Sequence, residues 1–259
     1  MSIDRLAEHA LIAKLLEAIK PITLDAVDKI GERIAKDQAP RLPKGTLTLP
    51  ERQYYDVVVF KRSTSLINAL ETINEVQHFI QFLPPASEFR KLRISQERWV
   101  DYHYSYHLII MASLVDRALL LTNDIFRIGH PEKLCSPKAI KENYWVQQTS
   151  VVQAIEMLER ITQNHRDSRN LFVHRGIKPD VTKATSSDLY DLMTFVAQAN
   201  ALTQGQIGAD DLFDQSFKLE IEKLNIIMRN DGNNASEGVY ALFDALLPVY
   251  ENQATKLKT

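Results

Sequence analysis

Glycine is scarce in this chain: 8 of 259 residues, about 3% against a usual ~7%. Glycine supplies the positive-φ positions of tight turns and hairpins, so its shortage argues against an all-β fold and against a glycine-rich phosphate loop. The single cysteine, Cys135, has no partner for an intramolecular disulfide, excludes a cysteine-only metal site, and fits a reducing compartment. No stretch approaches the ~18 apolar residues of a membrane span; the longest candidate, 108–115, stops at Asp116. Neither charge sign dominates, with 31 basic residues against 33 acidic and a net of −2, so the chain as a whole is no general nucleic-acid binder. The first twenty residues carry charges throughout and lack the apolar core and cleavage site of a signal peptide. A soluble cytoplasmic protein with no membrane partner is expected.

What is present reads as helix. Hydrophobic residues at 45% and charged residues at 25% are ordinary for a globular chain, and the length allows one large or two small domains. Ser2 can cap a first helix that Pro21 ends, and Thr23 precedes a second helix bearing Leu24, Val27, Ile30 and Ile34. Prolines 40, 43 and 50 make 38–50 a loop or linker. A long helix follows over 51–83, with Leu66, Leu70, Ile73, Val76 and Ile80 as its stripe and Pro84-Pro85 as its stop. The run Val57–Phe60 favours strand, but nothing nearby offers it a partner. Next come a long helix over 95–128 with Gly129 as a left-handed stop, a shorter one started by Ser136-Pro137, and a third long helix over 149–174 ended by Gly176 and Pro179. Helices over 187–203, 210–229 and 236–258 complete the chain, with Asp231-Gly232-Asn233-Asn234 as the turn before the last. The fold class is all-α: an antiparallel bundle of long helices with extra N- and C-terminal helices.

Charge is unevenly spread. Between 160 and 183 six basic residues face two acidic ones, while between 186 and 222 only Lys218 opposes seven acidic residues. Such asymmetry in a near-neutral chain marks either solvated helix faces or a site for an anionic partner.

One segment stands apart: Arg169-Asn170-Leu171-Phe172-Val173-His174, followed by Arg175-Gly176. Arginine and histidine recur at this separation in Arg98/His103 and Arg160/His165, but only Arg169 is followed by a small polar residue. An arginine, a polar residue, three more and a histidine at the end of a bundle helix resembles the motif of the HEPN domain (higher eukaryotes and prokaryotes nucleotide-binding). The stretch 99–129 is also similar to the preceding core helix in bacterial members of that group. The resemblance implies a HEPN-like core over 51–185, an N-terminal helical extension over 1–50, and C-terminal helices over 186–259 packed on the core. It further implies a metal-independent endoribonuclease of toxin–antitoxin or antiviral phage-defence type, with no cofactor, acting as a homodimer through the motif-bearing helix and answering to an antitoxin protein. The alternative is a non-catalytic HEPN-like module that binds RNA, nucleotide or a protein partner. In some HEPN toxins a tyrosine two residues after the histidine is adenylylated; here that position is Gly176, which puts that mode of control in doubt.

The chemistry suits the residue types. Metal-free cleavage drives a ribose 2′-OH onto the adjacent phosphorus and protonates the departing 5′ oxygen. Histidine populates both proton-accepting and proton-donating forms near neutral pH, so His174 suits proton transfer. Arginine's planar, permanently charged fork matches the phosphoryl oxygens, so Arg169 suits charge stabilisation. Asn170 can donate to phosphate or hold the imidazole in one tautomer. Arg166, Arg175 and Lys178 are candidate phosphate contacts. On an ideal helix, however, positions 169 and 174 lie roughly 140° out of phase, whereas 170 and 174 share a face. Arg169 therefore meets the same phosphate by wrapping round, by distortion of the helix end, or across a subunit interface.

Other candidates rank below this. His103 and His107, four apart, could face one metal with Asp101 or Glu97 nearby, but the residues between them lack the glutamate of a HExxH site, and no metal is expected. Trp99, Tyr102, Tyr104 and Tyr106 either pack amphipathically or stack unpaired bases. Asp116, on a largely apolar helix, is expected to pair with an arginine or lysine, Arg169 being one candidate. His9, His78 and His165 belong to no constellation and are read as surface or satisfied residues.

Overall fold

A computed structural model describes residues 4–36, 49–84, 86–94, 96–176 and 210–257. Among these the chain is all-helical: α1 (Asp4–Ala7), α2 (Ala10–Ala35), α3 (Glu51–Gln81), α4 (Ala86–Leu92), α5 (Gln96–Ile125), a 3-10 turn (Glu132–Leu134), α6 (Pro137–Lys141), α7 (Tyr144–Gln147), α8 (Val151–Arg175) and α9 (Asp210–Lys256). The helix expected over 187–203, most of the linker over 38–50, Ser2, Pro179 and Lys178 lie outside the described residues.

Several local signals behave as their chemistry dictates. Ser136 caps α6 by accepting the amide N–H of Ala139 at 3.2 Å, with Pro137 at the first helical position. Gly176 adopts φ +64° just beyond α8, the left-handed conformation that ends helices, but the stop expected at Gly129 falls earlier: α5 ends at Ile125, Arg127 takes the left-handed conformation at φ +55°, and the N–H of Ile128 returns to the carbonyl of Asn123 at 3.0 Å. The β-prone run Val57–Phe60 lies inside α3.

Two expected breaks are absent. Pro21 does not end a helix: α2 continues from Ala10 through Ala35. Proline keeps a helical φ and removes a single backbone donor, and Thr23, expected to cap a new helix, instead turns its hydroxyl back to the carbonyl of Ile19 at 3.1 Å. The real interruption comes earlier, at His9, whose Nδ1 accepts the N–H of Leu11 at 3.1 Å and so caps α2. The second correction concerns Asp231-Gly232-Asn233-Asn234, which forms no turn; α9 runs through it unbroken for 47 residues. Glycine and two asparagines cost a helix about 2 kcal/mol relative to alanine. Tertiary contacts offset this. Met228 and Ala235 on either side are buried, a Cβ at Gly232 would meet Ile73 at an ordinary 3.4 Å, and Asp231 is gripped by two histidines.

The chain divides into two compact units. The first comprises Met1–Asn68, Leu114–Arg160 and Ser236–Thr259; the second comprises Ala69–Ser113 and Ile161–Ala235. In the first, Leu66, Leu119, Ile155, Leu158, Phe243 and Leu246 are buried, each worth about 1.5–3 kcal/mol of transfer free energy. In the second, Val76 and Ile80 of α3, Val100, Tyr104 and Leu108 of α5, and Phe217, Ile221, Leu224 and Met228 of α9 form one cluster, with Leu83 and Trp99 packed against it. Both candidate sites below lie within this second unit.

Candidate functional site

The Arg169–His174 motif occupies the last turns of α8, which stays regular to Arg175. Buried or half-buried residues recur along this helix at Val151, Ile155, Leu158, Thr162, His165, Arg169 and Phe172, a spacing of alternating four and three. That is the period of a helix face packed in a bundle. Arg169 therefore sits in core register: it is half-buried, and its Nε is enclosed without a hydrogen-bond partner among the described residues. Gln163, Asp167, Asn170 and His174 form the opposite, exposed stripe. Arg175 is exposed and Arg166 half-buried. Asn170 and His174 thus share a solvent face, while Arg169 points elsewhere, and no distortion of the helix end brings it round. Asp116, weighed as a partner for Arg169, is exposed.

The aromatic group of α5 divides in two. Trp99 donates its indole N–H to the carbonyl of Phe79 at 3.1 Å and packs edge-on against Phe89 and His103. Tyr104 is buried in the core cluster. Tyr102 and Tyr106, by contrast, are 71% and 42% exposed. Together with Arg98, Asp101, Ser105, Ile109 and Phe172 they line a cavity of about 460 Å³. Phe172 belongs to the motif segment but to its inward stripe with Arg169, so the aromatic cavity adjoins that face of α8 and not the exposed Asn170–His174 face.

A second constellation lies deeper. His107 of α5, His165 of α8 and Asp231 of α9 converge, with Nε2 of His107 at 3.3 Å and Nε2 of His165 at 2.9 Å from the same carboxylate oxygen, Oδ2 of Asp231. The two imidazole rings meet edge to face, 5.8 Å between centroids, and Tyr104 stacks on His107. His107 is wholly buried, His165 nearly so, and the Asp231 side chain is 22% exposed. Burial alone would raise the Asp231 pKa, but hydrogen bonds from both histidines outweigh it and hold the carboxyl at about 2. Burial pushes the His107 pKa down, against the opposing pull of Asp231. Tyr104 is pushed up to about 12 by burial and by the charge of Asp231.

This triad corrects the expectations for both His165 and His107. His165, read as a surface or satisfied residue outside any constellation, is satisfied by Asp231 and does belong to one, and His107 shares its cluster with His165 and Asp231 rather than with His103. His103 instead stacks on Phe79 at 5.3 Å, its pKa lowered by burial. The signal was present as helical phase. On α9, Phe217, Ile221, Leu224, Met228, Asp231 and Ala235 are again spaced four, three, four, three, four, so Asp231 falls in an apolar stripe. His107 lies three residues after Tyr104 and four before Met111, both buried.

Comparison with protein-family models, with curated proteins and with solved structures returned no match. Among the described residues no helix is long and apolar enough to cross a membrane.

Proposed function

We propose that the chain binds single-stranded RNA at the exposed end of α8 and cleaves it as a homodimer. The observation that carries this reading is an open aromatic cavity against the Arg169–Phe172 face of the motif helix: Phe172 closes a pocket whose other walls include Tyr102, Tyr106, Arg98 and Asp101. Exposed rings beside cationic side chains are how unpaired bases are held, because every base offers a face to stack. In this reading His174 transfers the protons of 2′-OH attack and 5′-oxygen departure, Asn170 orients the imidazole or the phosphate, and Arg175 and Arg166 contact the backbone. The required guanidinium is Arg169 of a second copy, since within one chain Arg169 and His174 lie on different faces of a regular helix. The resemblance to HEPN proteins, in which two motifs face each other across a dimer, supports the same arrangement. An antitoxin or defence context rests on that resemblance alone.

The test is cleavage of a panel of single-stranded RNAs in EDTA. His174→Ala is expected to lower the rate about 10²–10⁴-fold, the usual contribution of a positioned acid–base group, and Arg169→Ala about 10²–10³-fold, that of a donor stabilising transition-state charge. Mixing the two variants after subunit exchange restores activity, because the heterodimer rebuilds one intact cleft. Equal rates for wild type and His174→Ala overturn the nuclease reading.

A second reading is favoured by the same separation of Arg169 from His174. A chain that does not dimerise holds RNA in the aromatic pocket without cutting it. Binding without cleavage in the wild type, unchanged by His174→Ala and weakened by Tyr102→Ala, selects it.

A further inference from the structure

The His107–His165–Asp231 triad lies apart from the exposed Asn170–His174 face. One ligand atom from each of its three side chains lies within 4.8 Å of the others. We propose that these three residues bind one divalent first-row transition-metal ion, with zinc the ion that suits them best.

The donor set is the first argument. Two imidazoles and one carboxylate are ligands zinc accepts, at about 2.0–2.2 Å, and tetrahedral coordination at that length sets neighbouring ligand atoms about 3.3 Å apart. The Nε2–Oδ2 separations are 3.3 Å and 2.9 Å, so a small outward movement of His165 accommodates an ion. The three residues come from three helices, facing inward at one level, which is how helix bundles build metal sites. No cysteine takes part.

The second argument is what the fold accepts in order to assemble the triad. His107 and Asp231 occupy core-register positions whose stripe neighbours are buried hydrophobic residues, and His165 lies on the inward stripe of α8 between Thr162 and Arg169. Polar residues in such positions destabilise unless they are satisfied. Yet Nε2 of His107 and Nε2 of His165 both turn to the one carboxylate oxygen, Oδ2 of Asp231, so the three donor groups face a common point. In addition, α9 is carried as helix through Asp231-Gly232-Asn233-Asn234, a run that favours a turn, and it is this continuity that delivers the carboxylate. Departures from local preference of this kind concentrate at functional sites.

The third argument is access. The Asp231 side chain is 22% exposed and that of His165 11%, while His107 is sealed. An ion enters from the Asp231 side, and water there supplies a fourth ligand. Three protein ligands plus water is an open coordination sphere rather than a closed structural one.

The experiment uses the full chain, stripped with chelator and titrated with Co²⁺ and then Zn²⁺. One equivalent of Co²⁺ is expected to bind with the visible absorption of a tetrahedral or five-coordinate centre and no thiolate charge-transfer band. Zn²⁺ displaces it and raises Tm in a concentration-dependent way. Asp231→Asn and His165→Gln are each expected to weaken Co²⁺ binding roughly 100-fold or more, beyond the loss typical of outer-shell partners. His174→Ala leaves it unchanged. If the wild type shows no saturable Co²⁺ spectrum, the triad is a hydrogen-bonded network only and the proposal is wrong. Loss of the spectrum in His174→Ala, or its retention in a folded Asp231→Asn chain, overturns it equally. Should the triad variants fail to fold, the wild-type spectrum and its zinc-dependent Tm decide alone. All of these readouts are independent of RNA cleavage.

Discussion

The hydroxyl of Tyr250 donates to Oδ1 of Asp56 at 2.8 Å, across 194 residues of sequence, while Arg52 donates its Nε–H to both oxygens of the same carboxylate at 3.0 and 2.8 Å. Tyr55 stacks on Tyr250 at 5.8 Å and gives its own hydroxyl hydrogen to the carbonyl of Ile125. Burial, then Asp56, raises the Tyr250 pKa; burial, then the neighbouring phenol, raises that of Tyr55, and Arg52 opposes both. Because the folded pKa of each exceeds the unfolded 10.0, the stability these groups contribute is complete below pH 10 and is lost as pH rises through the folded values. Tm should therefore fall steeply above about pH 10. Tyr250→Phe should flatten that decline and cost about 1–3 kcal/mol at pH 7 by leaving Asp56 short of a donor, as measured by denaturant melts.

Gly232→Ala separates a continuous helix from a turn. In the helix, alanine gains roughly 0.5–1 kcal/mol, and its Cβ meets Ile73 at an ordinary van der Waals distance. Tm should rise by a few degrees. A drop in Tm would mean that the segment bends at Gly232.

His9→Ala should destabilise the first unit by about 2–3 kcal/mol. The substitution removes the cap on Leu11, the bond to Asp244 at 3.0 Å, and edge-on packing against Tyr240 and Phe243. His9→Asn, which keeps a capping acceptor, should recover part of that loss in the same melts.

For RNA, Tyr102→Ala and Tyr106→Ala should each weaken binding of a single-stranded oligonucleotide by about 1–3 kcal/mol, the worth of one stacked base. Trp99→Ala should act through stability instead, since its ring packs inside the second unit. Fluorescence anisotropy alongside thermal melts tells the two effects apart.

Local chemistry was legible along the chain. Ser136-Pro137 and the stop at Pro84 need only their own backbone geometry, and both stand where the sequence places them; the left-handed stop expected at Gly129 falls on Arg127 instead. Pro21 and the Asp231–Asn234 run misled: α2 runs through the first, and at the second Asp231 finds two imidazoles more than sixty residues away. The motif at 169–174 and the separation of Arg169 from His174 were visible from spacing, but which of the two faces turns inward shows only when the stripe from Val151 to Phe172 is followed in phase. His165 was overlooked for the same reason. Linear separation pairs it with Arg160, whereas helical phase lines it up with Leu158 and Thr162 on the inward side.

An unbroken α9 also makes the triad sensitive to sequence length. A single residue inserted between Met228 and Asp231 would rotate the carboxylate by about 100° and lift it about 1.5 Å along the axis. The two imidazoles would then face Asn230 or backbone instead. The spacing between the apolar stripe and Asp231 therefore tolerates substitution far better than insertion or deletion, which makes this short stretch of an exposed-looking polar run one of the least adjustable parts of the chain.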